Sequence, residues 1–452
     1  MSTIVNRVEK GRYLDSVALM RASRKLAALP GVEEAALMMG TPSNRELMRG
    51  ARLLSKAGEA AGPNDLILAA RGSGAEAALK MALEFLNERK PETGLQSVRT
   101  LAAAAQTLPQ ANLALISVPG DYAAHEARRA LESGLNVLVF SDNVSIEDEV
   151  ALKTLAARKG LLLMGPDCGT ALIGGTPIAF ANVVPRGSVG LVSASGTGLQ
   201  EVSTLIARLG GGVSHGIGVG GRDLDERVGG LGTLAALELL ERDAQTRTIV
   251  LISKPPAPSV AKKILEKTRK SSKPCVVCFL GSKEAGVVRT LTEAAEKAVG
   301  KAVSSRDPKV AKAKGTIKGL FCGGTLCSEA ELIIGEDKGE FIDLGDDEYT
   351  RGKPHPMIEP ELRTPHLRAA LADPKVGVVL VDVVLGFGGH ENPAQVLVDG
   401  LQQSTKPVIA SVTGTDADPQ NRARQVEILR AAGVIVADSN ARAAELANAA
   451  TG

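Results

Sequence analysis

The chain is predicted to be an α/β protein of several units. Three observations point there: its length, short apolar runs that alternate with helical periodicity, and two similar strand–turn–helix segments far apart in sequence. At 452 residues it exceeds what one hydrophobic core supports. Hydrophobic residues make up 44%, charged residues 23%, and there are 49 glycines, the balance of a globular protein rich in turns. The expected architecture is a small α+β domain of ferredoxin-like type over 1–95, a Rossmann-like domain over 96–185, and two flavodoxin-like domains over 186–316 and 317–452.

The elements follow from periodicity. Thr3–Val8 reads as a strand. A helix capped by Asp15 or Ser16, with Val17, Met20, Leu26 and Leu29 on its apolar face, comes next. Strands at 32–39 and 65–70, and helices at 46–55 and 75–86, complete the first unit. In the second, continuous apolar strands at 113–118, 137–140 and 161–164 alternate with helices at 122–133 and 146–158, the pattern of a parallel sheet covered on both faces. The third continues with strands at 187–192, 213–219, 248–253 and 274–280 and helices at 199–209, 233–241 and 259–270. Residues 282–316, rich in Ala, Lys, Glu and Ser, read as a polar, partly helical connector. The fourth has strands near Gly319 and Phe341 and at 376–383, 407–412 and 434–436.

Composition excludes several functions. The formal charge of +2 is spread without a basic block, and aromatic residues are 2% with no Trp, so nucleic-acid binding on stacking platforms is not expected. No apolar run approaches a membrane span and the first residues lack a signal-peptide core, which predicts a cytoplasmic protein. Five scattered cysteines argue against a disulfide framework. Cys275 and Cys278 lie on one apolar strand, no second Cys/His pair completes a zinc site, and no metal is expected.

The chemistry-bearing features are Ser193-Ala-Ser-Gly-Thr197 and Phe321-Cys-Gly-Gly-Thr-Leu326. Each follows a buried strand and opens a helix, so unpaired N–H groups and the positive end of a helix dipole are directed at one spot. Ser195, Gly196, Thr197, Gly323, Gly324 and Thr325 are therefore candidate phosphate ligands, with a plain capped turn as the alternative. Lys254, at a strand end before Pro255-Pro256, is a candidate anion contact. His390, in Gly388-Gly-His-Glu-Asn-Pro393 after the strand at 376–384, is a candidate acid, base or carbonyl donor, and Asn392 a candidate amide ligand. Arg351, in the polar loop Gly345–His355, is a candidate carboxylate fork. Solvated loop or surface positions are the plainer reading of these four.

Met164-Gly-Pro-Asp-Cys-Gly-Thr170, Gly187–Thr197 and His215–Gly221 resemble the α subunit of succinyl-CoA synthetase and other NDP-forming acyl-CoA ligases. Cys322–Thr325, Phe341–Gly345, Leu385–Gly389 and Ala431–Asp438 resemble the carboxy-terminal domain of the β subunit, and the fused order resembles the FdrA family. The resemblance implies that residues 96–185 are a truncated CoA-binding-type domain and that the two helix N-termini meet around a phosphate. It also shows departures. The family's phosphohistidine loop reads Gly281-Ser-Lys-Glu-Ala-Gly286, and Lys254 stands where a carboxylate is expected. No counterpart of the CoA-gripping loop precedes residue 100, and there is no ATP-grasp domain. No cofactor is assigned, and phosphate is taken as a substrate. The resemblance to the FdrA family implies a subunit of an oxamate carbamoyltransferase of allantoin breakdown, converting oxalurate and phosphate to oxamate and carbamoyl phosphate with companion subunits, in a homo-oligomer. An NDP-forming acyl-CoA ligase subunit and a noncatalytic assembly subunit are the alternatives.

Overall fold

The computed structural model describes residues 3–12, 14, 16–88, 98, 100–303, 310–350, 354–401 and 406–451. The chain forms two compact units, one of residues 1–104 with 351–354, the other of 105–350 and 355–452.

In the first unit, β1 (Ile4–Glu9), α1 (Ser16–Ala27), β2 (Glu34–Met39), α2 (Pro42–Gly50), α3 (Lys56–Glu59), β3 (Leu66–Arg71) and α4 (Ala75–Glu88) follow in order. The sheet is antiparallel, β1-β3-β2, and β3 is its buried centre. Between β2 and β3 the sequence predicts one helix over 46–55. It is two, because Thr41 caps α2 through Asn44 N and the chain bends at Ala51–Ser55. α5 (Leu101–Thr107) comes next.

Among the described residues, the second unit holds three sheets. β4 (Leu113–Ile116), β5 (Asn136–Val139) and β6 (Leu163–Met164) are parallel, connected by α6 (Gly120–Glu132) and α7 (Ile146–Lys159). Next come β7 (Thr170–Ile173), β8 (Thr176–Ala179), β9 (Arg186–Ser193), α8 (Gly196–Arg208), β10 (Val213–Gly218), α9 (Leu231–Arg242), β11 (Thr248–Ser253), α10 (Pro258–Arg269), β12 (Cys275–Phe279), β13 (Val287–Val288) and α11 (Leu291–Val299). Their sheet runs β13-β12-β11-β9-β10-β7-β8. The third contains β14 (Thr316–Phe321), α12 (Gly324–Ile334), β15 (Gly339–Asp343), α13 (Asp347–Thr350), α14 (Thr364–Ala372), β16 (Val376–Val384), α15 (Pro393–Gly400), β17 (Val408–Thr413), α16 (Arg422–Ala431), β18 (Ile435–Ala437) and α17 (Asn440–Thr451), in sheet order β15-β14-β16-β17-β18.

The five parallel strands of each large sheet have the flavodoxin-like order 2-1-3-4-5, as expected from the alternating pattern. The order reverses between β9 and β11 in one sheet and between β14 and β16 in the other. Ligands of open α/β sheets bind at such switch points, and the two glycine-rich turns lie there.

Two segments differ from the sequence reading. Residues 170–179 form a hairpin, β7–β8, whose turn glycines Gly174 and Gly175 both have positive φ (59° and 84°), as a type I′ turn requires. The hairpin extends the sheet next to β10. The stretch read as a polar connector contains β13 and α11, and Leu291, Ala294 and Ala295 of α11 are fully buried. Alanine-rich helices bury little area per residue, so their apolar face is faint in a hydropathy pattern.

One apolar cluster joins the two flavodoxin-like lobes, with Leu199, Val202 and Leu205 of α8, Leu326, Ala330 and Ile334 of α12, and Ala443, Ala444 and Ala447 of α17. Within it runs a polar network. Glu201 accepts from Thr413 Oγ1 at 2.5 Å and from Asn440 N at 3.0 Å, while Glu329 accepts from Leu291 N at 2.6 Å and Asn440 Nδ2 at 2.8 Å. These carboxylates lie one turn behind Thr197 and Thr325 and hold the two helices in register. Among the described residues, no helix is long and apolar enough to cross a membrane.

Candidate functional site

β9 ends in buried Ser193, whose hydroxyl donates to Ser195 O at 2.7 Å and accepts from Ser195 N at 3.1 Å, fixing the turn. Ser195 is extended and caps α8, its Oγ accepting from Gly198 N at 2.9 Å. That Oγ also donates to Thr325 Oγ1 at 2.5 Å, and a Cβ at Gly323 would lie 3.0 Å from Thr197 Cγ2. The two turns, 130 residues apart, are in direct contact.

At α12 the cap residue is Gly323, which has no side chain to cap with. Asp382 substitutes, accepting from Cys322 N at 2.8 Å and Gly323 N at 2.9 Å. The N–H groups of Gly196, Thr197, Gly324 and Thr325 have no acceptor among the described residues. Four unpaired donors from two helix ends thus surround the Ser195–Thr325 contact, a setting that favours an anion.

Charges surround this point. Lys254 follows β11 and is exposed, its Nζ 3.6 Å from where a Cβ at Gly324 would lie. Asp343, the last residue of β15, places Oδ2 against the same position and accepts from Gly345 N at 2.9 Å through Oδ1. Burial pushes its carboxyl up to about 6, although Gly345 N–H and Lys254 favour the ionised form. Asp382 is fully buried, and burial raises its pKa against the pull of Arg363, whose guanidinium lies 3.1 Å away. Cys322 and Cys327 are also buried and their thiols pushed well up, so neither is a nucleophile at neutral pH.

The structure therefore brings Ser195, Thr197, Gly323, Gly324, Thr325 and Lys254 together. Gly196 faces Thr170, whose Oγ1 would lie 3.1 Å from an added Cβ. His390 and Asn392 belong to a neighbouring loop. There Gly386 and Gly388 have positive φ, and a side chain on either would strike Ala181 O or the Phe180 ring. His390 N donates to Met357 O at 2.9 Å and its Nδ1 accepts from Asn392 N at 3.1 Å; Asn392 Oδ1 is buried without a donor among the described residues. No direct contact links either residue to the two turns among the described residues. Arg351 lies outside the described residues.

Three neighbours of the site carry no role in the sequence reading: Asp382 reads there as a plain strand-end carboxylate, and Asp343 and Arg363 are not singled out. Asp382 was visible as the only charge in the nine-residue apolar strand β16, and a carboxylate there needs partners. Asp343 was the strand-end acid of Phe341-Ile-Asp-Leu-Gly345. Arg363 gave no signal, because its partner is set by tertiary packing.

Two flavodoxin-like lobes joined through paired helix N-termini at their switch points define a fold of the acyl-CoA ligase class. Residues 320–450 match the CoA-ligase family, and residues 1–101 match a family described as the AllF heavy metal-associated domain. The chain is 42% identical to the YahF protein of Escherichia coli (strain K12) over 97% of both chains, and it belongs to that protein's family. It is also 28% identical to subunit alpha 2 of an ADP-forming succinate–CoA ligase of Archaeoglobus fulgidus, over 51% of this chain and 77% of the relative. An ADP-forming sulfoacetate-CoA ligase subunit, SqwL of an Acholeplasma species, is 28% identical over 44% and 73%. Among solved structures, the dinucleotide-forming acetyl-coenzyme A synthetase 1 of Ca. Korarchaeum cryptofilum, in complex with phosphate and ADP, covers 75% of this chain and 82% of its own, at 19% identity and a TM-score of 0.32. Residues 1–101 contain neither Cys nor His, so thiolate or imidazole ligation of a heavy metal does not fit this chain's own first domain.

Proposed function

We propose that the junction of α8 and α12 binds the phosphate of an acyl phosphate, and that the chain is a subunit of an enzyme of the acyl-CoA ligase type that forms or consumes such a compound. The observation that carries this reading is the 2.5 Å contact between Ser195 and Thr325, which puts two helix N-termini and Lys254 around one point. In the forming direction, a phosphate oxygen attacks an activated acyl carbon; the new C–O bond replaces the bond to the leaving group, which departs with a proton. The helix amides hold the phosphate without reorganising, and Lys254 offsets its charge. A companion subunit provides the nucleotide or the acceptor.

Carbamoyl transfer, from oxalurate to phosphate, is the second reading. It is favoured by the loop Gly281–Gly286, which carries no histidine for a phosphoryl relay and leaves direct transfer to bound phosphate as the simpler route. Calorimetric titration with inorganic phosphate tests the site. Saturable binding that weakens at least about tenfold in Gly324→Val supports it, and identical isotherms for both proteins contradict it. With a companion subunit present, thioester formation from ATP and CoA selects the ligase reading, and phosphorolysis of oxalurate the second.

A further inference from the structure

A histidine at the end of the polar loop Gly345–His355, given no role by the sequence reading, reaches the rim of this site. His355 follows the Gly345–Thr350 turn in sequence, and its Nε2 lies 2.5 Å from where a Cβ at Gly345 would be. The same position is 3.1 Å from Asp343 Oδ1 and 2.7 Å from Cys322 O. One oxygen of Asp343 therefore faces the Gly324–Lys254 side, and the other faces the pocket that holds the imidazole. The ring is held from behind. Nδ1 accepts the backbone N–H of Met357 at 3.1 Å, while Ile358 N and Glu359 N donate to His355 O at 2.8 and 3.0 Å.

That hydrogen bond fixes the tautomer. A ring nitrogen that accepts a backbone N–H carries no proton, so in the neutral imidazole the proton is on Nε2. Enclosure lowers the pKa of the ring to about 4, which keeps it neutral at physiological pH. Nε2–H has no acceptor among the described residues. A nucleophilic or phosphoryl-relay histidine needs a lone pair on the nitrogen that faces the substrate, and here the facing nitrogen holds the proton. The group is a donor, matched to an oxygen.

We infer that His355 is a substrate-contacting residue whose Nε2–H donates to the carbonyl oxygen of the acyl group joined to phosphate at the α8/α12 junction. This rests on the function proposed above. No proton is transferred. The donor stabilises negative charge growing on the carbonyl oxygen as the acyl carbon is attacked, and because it is neutral it does not compete with Lys254 for the phosphate. Gly345 is required because a side chain there would fill the space of Nε2. Asp343, beside it, offers an acceptor for any N–H that the acyl group carries.

Binding of two probes, inorganic phosphate and acetyl phosphate, to the full chain tests the inference. His355→Phe keeps the ring volume and loses the donor. It is expected to leave inorganic phosphate affinity within about twofold and to weaken acetyl phosphate by roughly five- to tenfold, the loss of one hydrogen bond to a polar acceptor. His355→Gln, which restores an N–H donor, is expected to recover part of that loss. Equal weakening for both probes, no weakening for acetyl phosphate, or phosphorylation of His355 after incubation with acetyl phosphate would each overturn it. If the wild-type chain binds neither probe, it is the proposed phosphate site itself that fails.

Discussion

At the scale of the residue, the site is a contest between anions for two helix ends. Asp382 already takes the amides of Cys322 and Gly323, and Asp343 stands where a ligand would approach Gly324. An ionised Asp343 repels a bound dianion, and burial has moved its titration up to about 6. Sulfate, whose charge is constant across this range, is therefore expected to bind more tightly as pH falls through about 6, and Asp343→Asn should bind sulfate tightly at pH 7 and lose that dependence. Calorimetry at pH 5 and pH 8 checks this; a wild-type affinity independent of pH would contradict it. Lys254 is exposed, so its contribution is screened: Lys254→Ala should weaken phosphate binding only about three- to tenfold, with the difference shrinking in high salt. The six glycine and hydroxyl positions at the turns were legible in the sequence because a strand, a turn and a helix leave N–H groups open wherever they occur. Asp343 is readable only as a strand-end acid, and His355 and Arg363 were not legible, because their neighbours Asp343 and Asp382 are brought to them by tertiary packing.

At the scale of the element, β16 is the most demanding strand. All nine residues are buried, one is a carboxylate, and its single cationic partner among the described residues is Arg363, itself 4% exposed. Removing one member of such a pair strands the other in a low-dielectric interior. Arg363→Leu is expected to cost about 3–5 kcal/mol, seen as a fall in the midpoint of denaturant unfolding, while Arg363→Lys should lose less. A Leu variant as stable as wild type would show that water or another group compensates Asp382. Strand and helix order was readable from alternating apolar runs. The Gly174–Gly175 hairpin is not readable because its strands are short and partly exposed, and α11 is readable only as part of a partly helical connector because its buried face is largely alanine.

At the scale of the whole molecule, the two flavodoxin-like lobes share one apolar cluster and a buried carboxylate network, so residues 105–452 should unfold in a single transition. Glu329 gives that transition a pH dependence. Burial raises its carboxyl from 4.5 to about 7, with Asn440 and Leu291 N–H pulling it down and Glu201 and Glu293 pushing it up. A raised carboxylate is comfortable when protonated and costly when ionised, so its penalty appears as pH climbs from about 4.5 to about 7. The wild type's advantage over Glu329→Gln in melting temperature should accordingly be larger at pH 5 than at pH 8; the opposite trend would place the pKa on the other side. That the two lobes belong together was legible from the order of their motifs. That their helices meet hydroxyl to hydroxyl was not, because each turn is local and the distance between them is set by the shared core.

The central claim is that these two helix ends jointly bind a phosphoryl group. The most direct measurement is calorimetric titration of the intact chain with inorganic phosphate at fixed ionic strength, alongside Gly324→Val. The account predicts one phosphate per chain for the wild type and at least about tenfold weaker binding for the variant. Equal binding in the two proteins, or none in the wild type, would contradict it.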